Sequence, residues 1–504
     1  MSPEAWKTIA IVAYLALMLV IGWTAFRRTD DLDDYMLGGR RLSPGTAALS
    51  AGASDMSGWL LMGLPGAVYA SGLVEAWIAV GLTVGAWVNW KLVAPRLRAY
   101  TEVARNSITI PSFLENRLRD TSRLLRVASG VIVLVFFTFY VSSGMVAGGT
   151  FFESSFGLDY TTGLWVVGGV TLAYTLFGGF LGATWTDVAQ GLLMLAALVL
   201  VPVVAFVRLG GWGPVHESIL AADSAAAEHH LSFVAGATVT GVVSALAWGL
   251  GYFGQPHIIV RFMALRSPQD ATSGRRIGMG WMVLTALGAV LTGLLGVAWS
   301  VQEGQPLDNP ETVFLFLSQV LFHPLVAGVV LAAVLAAIMS TISSQLVVSS
   351  SALVEDLVKM TTRRELSTRA QVMLGRAGVL LVALVAGAIA LDRTSTILDL
   401  VGFAWAGFGA AFGPVVLLSL YWRRLTAWGA LAGMVGGAVV SFVWGRTGLA
   451  DLLYEIVPGF AVCLVLAVVV SLLTPQPGPE VDAEFDATVD ACRRPRPASA
   501  GAEG

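Results

Sequence analysis

The sequence predicts an all-α polytopic membrane protein with thirteen transmembrane helices. Apolar residues make up 56% of the 504 residues and charged residues only 12%, and the mean hydropathy is +0.76, well above what a soluble core requires. Apolar runs of about 18 to 25 residues recur along the chain, and each could cross a hydrocarbon core of roughly 30 Å as a helix. Examples are 164–180, 188–207 and 315–340.

The positions of the basic residues predict the orientation of these helices. Lys and Arg near helix ends are retained on the cytoplasmic side of a membrane. If the amino terminus lies outside, alternate loops hold 26 of the 30 Lys and Arg residues. This split predicts an N-out, C-in protein of the cell (inner, plasma) membrane. The scheme assigns Arg261 to a cytoplasmic loop and treats 178–186 as a cytoplasmic loop without a basic residue.

The apolar segment at 44–69 is interrupted by residues that disfavour a continuous helix. Asp55 lies among serines and glycines, and Pro65 follows. Glycine tolerates unusual dihedral angles and proline removes a backbone donor, so we expect a break near 53–57 that frees backbone carbonyls. Free carbonyls at membrane depth are tolerated where they line a cavity or bind a ligand. A packing kink is the less favoured interpretation.

A second interrupted segment lies at 247–257. Three glycines and Pro256 again divide an apolar helix, here beside Trp248 and Tyr252. Paired broken helices in the two halves of a chain indicate an inverted-repeat secondary transporter with its substrate site at the breaks. Helices 2–6 and 7–11 would be the repeats, and the odd number of helices in each inverts the second copy. Close helix packing at the glycines is the alternative.

A third group of polar atoms lies near the end of the predicted helix 9. The hydroxyls of Ser340 and Thr341 adjoin the carbonyl of Ala337. Such hydroxyls commonly bond a carbonyl of their own helix. Together with two carbonyls from the first broken helix, however, they would form a five-oxygen shell suited to a hard cation.

Several other features have two interpretations or predict an absence. Asp187 either attracts a cation or caps the start of helix 6. His229 and His230 lie in an outer loop, where we expect a solvated pair and no transition-metal site. The residues from 475 onward are rich in proline, alanine and acids, which predicts a flexible cytoplasmic tail.

These observations divide the chain into six parts. They are the first helix with its cytoplasmic loop (1–43), repeat 1 (44–210), an external loop (211–232), repeat 2 (233–422), helices 12 and 13 (423–474) and the tail (475–504).

Four stretches, 33–40, 48–67, 249–257 and 404–416, resemble the sodium/solute symporter family, and the resemblance extends from the first helix to about the last. It implies the five-plus-five inverted-repeat, LeuT-like fold with broken helices 2 and 7. It also implies sodium-coupled uptake of L-proline by alternating access. Sodium would be a co-transported ion, with no organic cofactor, no enzymatic reaction, no nucleic acid and no obligatory protein partner besides the surrounding lipid bilayer.

The resemblance also implies roles for individual residues. Sodium would be held by the carbonyls of Ala53, Met56 and Ala337 and the hydroxyls of Ser340 and Thr341, with Asp55 and Asp187 in support. Proline would bind near Ser57, Trp59, Gly63, Tyr140, Trp248, Tyr252 and Pro256. Arg40 would be linked to transport. Ser344 stands where the family has a more reactive residue.

Three alternatives remain open at the level of sequence. The fold could carry another small solute, such as a different amino acid, pantothenate or a sugar. Protons could replace sodium, with Asp55 as the carrier. The chain could also be a membrane sensor or an enzyme, although a tail of this length cannot hold a signalling domain.

Overall fold

The computed structural model describes residues 1–26, 38–226, 229–354 and 368–494, which are mostly helical. The helices of the first half are α1 (Pro3–Phe26), α2 (Pro44–Asp55), α3 (Leu64–Ser71), α4 (Ala76–Val88), α5 (Ala94–Val103), α6 (Ile110–Leu118), α7 (Leu124–Phe156), α8 (Tyr160–Arg208) and α9 (Trp212–Ala226). Those of the second half are α10 (Val239–Ala247), α11 (Pro256–Met263), α12 (Asp270–Glu303), α13 (Val313–Leu321), α14 (Pro324–Ser351), α15 (Thr368–Ala390), α16 (Ile397–Tyr421), α17 (Ala427–Trp444), α18 (Ile456–Leu473) and α19 (Pro479–Arg493).

Ten helical stretches among the described residues are long and apolar enough to cross a membrane. This number differs from the thirteen predicted segments partly because the structure divides and joins helices at unexpected places. The predicted span 315–340 is divided before Pro324, where His323 is extended with ψ 141°, since proline disfavours a helical conformation in the residue before it. The predicted loop at 178–186 stays a prediction: it falls within the range of α8, and a separate membrane-spanning stretch begins at Gly182.

The outer helices carry apolar side chains that no other part of the described chain covers. On α1, Val12 and Val20 are 57% and 60% exposed, and on α18 Leu473 is 81% exposed. The central helices α14 and α16 are by contrast buried over most of their length. Such extensive exposed apolar surface is stable in lipid rather than in water. The protein is therefore a multi-pass membrane protein.

Glycines bring the central helices into backbone contact. A Cβ atom on Gly85 of α4 would lie 2.2 Å from the carbonyl oxygen of Gly249, and one on Gly249 would lie 2.3 Å from that of Gly81. Only residues without a side chain permit this approach, which is a common basis of helix association in membranes. The contact fixes α4 against the segment that follows α10.

The loop after α9 packs against a tight turn at the end of α3. Gly72 has φ +82°, and a Cβ there would lie 2.3 Å from the Cα atom of His230. The His230 ring is buried, with Nδ1 at 2.6 Å from a carboxylate oxygen of Asp223 and Nε2 at 3.2 Å from the carbonyl oxygen of Tyr69. The prediction of a solvated histidine pair is therefore wrong for His230.

The segment predicted to be a flexible tail forms α19 instead, which packs against the end of the membrane domain. Phe485 is 7% exposed and lies with its ring 4.8 Å from the Arg423 guanidinium carbon. Glu484 accepts a hydrogen bond from Arg119 at 2.5 Å, and Asp486 pairs with Arg423. The average composition concealed an apolar stripe at 481, 485 and 489, the four-residue spacing of one helical face. Residues 495–504 of the predicted tail lie outside the described residues.

Cys492 offers a native reporter for the docking of α19. Its thiol lies 3.5 Å from the carbonyl oxygen of Pro95, and burial raises the pKa of the thiol, so its reactive thiolate is scarce. Phe485→Ala removes the apolar anchor of α19, and we expect maleimide labelling of Cys492 to become at least about tenfold faster. The rate is measured on purified protein carrying Cys463→Ala. Asp490→Ala, on the exposed side of α19, should leave it unchanged, and equal rates for all three proteins would show that α19 is not held by Phe485.

Candidate ion and substrate site

The first broken helix leaves the carbonyl of Ala53 without its helical partner. α2 ends at Asp55, and Met56 departs from helical geometry with φ −80° and ψ 76°. In a continuous helix the N–H of Ser57 would donate to Ala53, but here it donates to the carbonyl of Asp55 at 2.9 Å. The helix resumes with a π-helical turn, Trp59–Gly63, before α3. The predicted break at 53–57 is thus confirmed.

Hydroxyls of α14 meet the freed carbonyl. Ser340 Oγ lies 2.9 Å from the carbonyl oxygen of Ala53 and 3.1 Å from that of Ala337, while Thr341 Oγ1 lies 3.2 Å from Ala337. All four residues are buried, as is neighbouring Met56. Both interpretations of the hydroxyls hold in part, since each reaches a carbonyl of its own helix and Ser340 also bridges to α2. Four of the five predicted ligand oxygens therefore lie together.

The second broken helix is a 3₁₀-helical segment, Trp248–Gly254, between α10 and α11. Gln255 is extended and Pro256 begins α11, so the predicted break is confirmed here too. Trp405 of α16 holds both ends of this segment. Its indole N–H donates to the backbone carbonyl of Trp248 at 2.7 Å, and its backbone carbonyl accepts from the side-chain amide of Gln255 at 3.1 Å.

Aromatic side chains from both breaks converge on Asp55. The Tyr140 hydroxyl and the Trp59 indole each donate to the backbone carbonyl of Asp55 at 3.3 Å. The Tyr252 hydroxyl donates to its carboxylate at 2.5 Å, and the rings of Trp59 and Trp248 lie 6.5 Å apart. Three residues of the predicted substrate set thus contact one acidic residue, and Trp248, a fourth, lies beside Trp59.

The other three residues of that set lie around the edges of this cluster. Ser57 is buried at the break itself. Gly63 faces Leu398 of α16, to whose Cβ atom an added methyl group would approach within 3.5 Å. Pro256 is buried at the first position of α11.

Asp187 lies inside α8 and not at a helix start, so its predicted capping role is wrong. Its carboxylate accepts hydrogen bonds from Ser50 Oγ at 2.7 Å and from Arg261 at 3.1 Å. Arg261 also donates to Ser344 Oγ at 2.8 Å. Both charged side chains are almost completely buried, so the assignment of Arg261 to a loop is wrong as well. The cluster joins α2, α8, α11 and α14.

Arg40 lies away from this cluster and binds the ends of other elements. Its guanidinium donates to the carbonyl of Met263 at 2.9 Å, to that of Ser107 at 2.8 Å and to the Thr101 hydroxyl at 3.0 Å. It therefore ties the start of α2 to the end of α11 and to the loop after α5.

Several residues of the site were missed at the level of sequence. Arg261 had a detectable signal, a lone charge within the apolar stretch 256–265. Trp405 lies in one of the stretches that carried the family resemblance, although nothing in its spacing indicated its bonds. Asn89 gave no signal beyond its position in an apolar segment, yet it lines a cavity beside Asp55 and Tyr252.

Comparisons with known proteins place these features in a family. The model of the Sodium:solute symporter family matches residues 35–437. The chain is 58% identical to the High-affinity proline transporter PutP of Bacillus subtilis, across 93% of this chain and 98% of that protein. It is 50% identical to a Sodium/proline symporter of Staphylococcus aureus (strain NCTC 8325 / PS 47), across 97% of each protein.

Solved structures share the fold at lower identity. A Na⁺-coupled sialic acid symporter in a substrate-bound outward-open state superposes with a TM-score of 0.77 at 19% identity, covering 94% of this chain and 98% of that one. Mhp1, a nucleobase-cation-symport-1 family transporter, superposes with a TM-score of 0.56 at 14% identity, covering 91% and 100%. The chain belongs to the sodium:solute symporter family.

Proposed function

We propose that the protein takes up L-proline coupled to sodium, by alternating access across the plasma membrane. The observation that carries this proposal is the contact between the freed Ala53 carbonyl and the Ser340 hydroxyl, beside aromatic side chains that converge on Asp55. The names of the two bacterial relatives support proline as the substrate. Sodium coupling is supported by the family and by the oxygen-rich contact itself.

The proposed sodium ligands are the carbonyls of Ala53, Met56 and Ala337 and the hydroxyls of Ser340 and Thr341. Sodium is a hard cation that prefers oxygen donors. A single hydroxyl hydrogen of Ser340 faces two carbonyls in the structure, whereas a cation attracts all of these oxygens at once. Asp55 contributes negative charge close by, and the cost of burying that charge is offset when a cation is present.

The proposed proline site consists of Ser57, Trp59, Gly63, Tyr140, Trp248, Tyr252 and Pro256. The aromatic faces suit the apolar pyrrolidine ring, and a secondary ammonium next to an aromatic face gains cation–π attraction. The broken helix ends supply backbone groups for the charged ends of the zwitterion.

We further propose thirteen membrane crossings in the N-out, C-in orientation, with 44–210 and 233–422 as inverted repeats. In this arrangement Arg40 lies on the cytoplasmic side and links the first broken helix to the second. Asp187 connects one helix of repeat 1 to Arg261 of repeat 2. A relative movement of the repeats must therefore change both contacts.

In this mechanism sodium binds between α2 and α14 and so stabilises the break at which proline then binds. One Na⁺ entering at 100 mV releases about 2.3 kcal/mol, and a tenfold sodium gradient adds about 1.4 kcal/mol. Coupling one sodium ion to one proline therefore limits accumulation to roughly 500-fold.

The function is tested by radiolabelled uptake into proteoliposomes containing the purified protein. We expect an inward sodium gradient to drive proline uptake, with a membrane potential, negative inside, increasing the rate. Uptake that ignores external sodium but follows a pH gradient would indicate proton coupling. Competition for uptake by another solute but not by proline would overturn proline as the proposed substrate.

The sodium ligands are tested by Ser340→Ala and Thr341→Ala. Each variant loses one oxygen, and we expect the external sodium concentration for half-maximal uptake to rise about tenfold, equivalent to about 1.4 kcal/mol. Proline affinity at saturating sodium should change less than twofold. The control is Ser318→Ala, which removes a buried hydroxyl bonded to its own helical carbonyl. Wild-type sodium dependence in both variants would show that these hydroxyls serve only in packing and do not bind sodium.

The buried ion pair is tested by Asp187→Asn and by the double variant Asp187→Leu/Arg261→Met. The single change leaves a buried guanidinium without its carboxylate, a loss that typically costs about 3–5 kcal/mol, so we expect a lower melting temperature in detergent. Replacing both residues with apolar ones should recover most of the stability. Sodium-dependent uptake by the folded double variant, if unchanged, would reduce Asp187 to a structural role.

A further inference from the structure

Asn89 is a completely buried amide that no described residue satisfies. It begins a π-helical turn, Asn89–Val93, at the end of α4. Its side chain is 0% exposed, and neither its amide nitrogen nor its carbonyl oxygen has a hydrogen-bond partner among the described residues. A buried amide without partners costs roughly 1–3 kcal/mol. This cost indicates that the amide meets a ligand during part of the protein's cycle.

The amide borders a cavity that is also lined by an unsatisfied carboxylate oxygen of Asp55 and by the hydroxyl of Tyr252. The cavity has a volume of about 30 Å³. Asp55 Oδ1, on its wall, has no partner in the described part of the chain. Tyr252 gives its hydroxyl hydrogen to Asp55 Oδ2, so the lone pairs of that hydroxyl remain able to accept. Apart from these three residues the wall is mostly apolar.

The size and the chemistry of the cavity select a small hard cation. A water molecule needs about 10–15 Å³ on this measure, so there is room for two or three water-sized species and none for proline. A carboxylate oxygen, an amide oxygen and a phenol oxygen are all hard donors, and the carboxylate supplies negative charge. A monovalent cation that keeps one water molecule fits this donor set.

The position of the cavity relates it to the proposed sodium ligands. Ala53 lies on the side of α2 that meets α14, whereas Ala48, Gly52 and Asp55 line the cavity on another face of the same helix. The cavity extends from the break back along α2 to Trp90, which immediately precedes the basic stretch starting at Lys91. In the proposed orientation this direction leads to the cytoplasm.

We propose that Asp55, Asn89 and Tyr252 form a second, transient site for the transported cation, which sodium occupies after it leaves the contact between α2 and α14. The inference rests on the proposed sodium coupling. Because the site lies on the cytoplasmic side, internal sodium competes for it, and its affinity sets the internal sodium concentration that slows uptake.

The experiment measures inhibition of proline uptake by sodium loaded inside uniformly oriented proteoliposomes. Asn89→Leu keeps the branched shape and the number of heavy atoms but removes both polar atoms, and we expect the half-inhibiting internal sodium concentration to rise at least fivefold. The external sodium concentration for half-maximal uptake should stay within twofold of wild type. Asn89→Asp adds a second carboxylate, and we expect inhibition at a lower internal concentration.

The control is Thr171→Val, which removes another buried hydroxyl that has no partner in the described residues but lies outside the cavity. It should not alter inhibition by internal sodium. A sodium-coupled wild type with unchanged inhibition in Asn89→Leu overturns this inference alone and assigns the cavity to water. If Asn89→Leu does not fold, Asn89→Asp decides, since unchanged inhibition there also overturns it. Sodium-independent uptake by the wild type would instead overturn the proposed function.

Discussion

The absence of water from the bilayer core is the constraint on which this structure depends. A helix that breaks there exposes backbone groups at a cost of several kcal/mol unless other protein atoms satisfy them. When the N–H of Ser57 turns to Asp55, the carbonyl of Ala53 is left to find a donor, and Ser340 supplies one from α14. The same break turns the carbonyl of Asp55 toward the hydroxyl of Tyr140 and the indole of Trp59. A single interruption of the helical hydrogen bonds thus brings together contacts from α2, α7 and α14.

The sequence predicts the breaks well because their causes are local. Glycine and proline act on the residues beside them, so the interruptions near Asp55 and before Pro256 are visible without any knowledge of packing. The partner of the first break is not local, since Ala53 and Ser340 lie 287 residues apart. No spacing rule joins them, and only the count of oxygen donors and the resemblance to a family indicated that they meet. Neither local sequence rules nor the family resemblance indicate Asn89, because what distinguishes it is that its side-chain amide has no hydrogen-bond partner among the described residues.

The errors have physical causes too. Counting basic residues treats every arginine between apolar runs as a loop residue, yet Arg261 is buried because a carboxylate lies on another helix. A pair of this kind seldom adds stability over well-packed apolar residues. Its value is geometric, since Arg261 links Ser50 of α2, Asp187 of α8 and Ser344 of α14. The composition of the C-terminal segment misled for a different reason, because an average over thirty residues hides an apolar stripe such as that around Phe485.

The two hydrogen bonds of Trp405 have a consequence for how the protein changes shape. They connect Trp248, the first residue of the 3₁₀-helical segment, and Gln255, which follows its last residue, to Trp405 of α16. Gly251 lies so close to the same indole that an added Cβ would overlap it, at 1.9 Å from the ring nitrogen. The segment and α16 therefore behave as one rigid unit, although the irregular backbone of the segment resembles that of a flexible hinge. Bending during transport is then confined to the two ends of this segment, where the chain leaves α10 and enters α11.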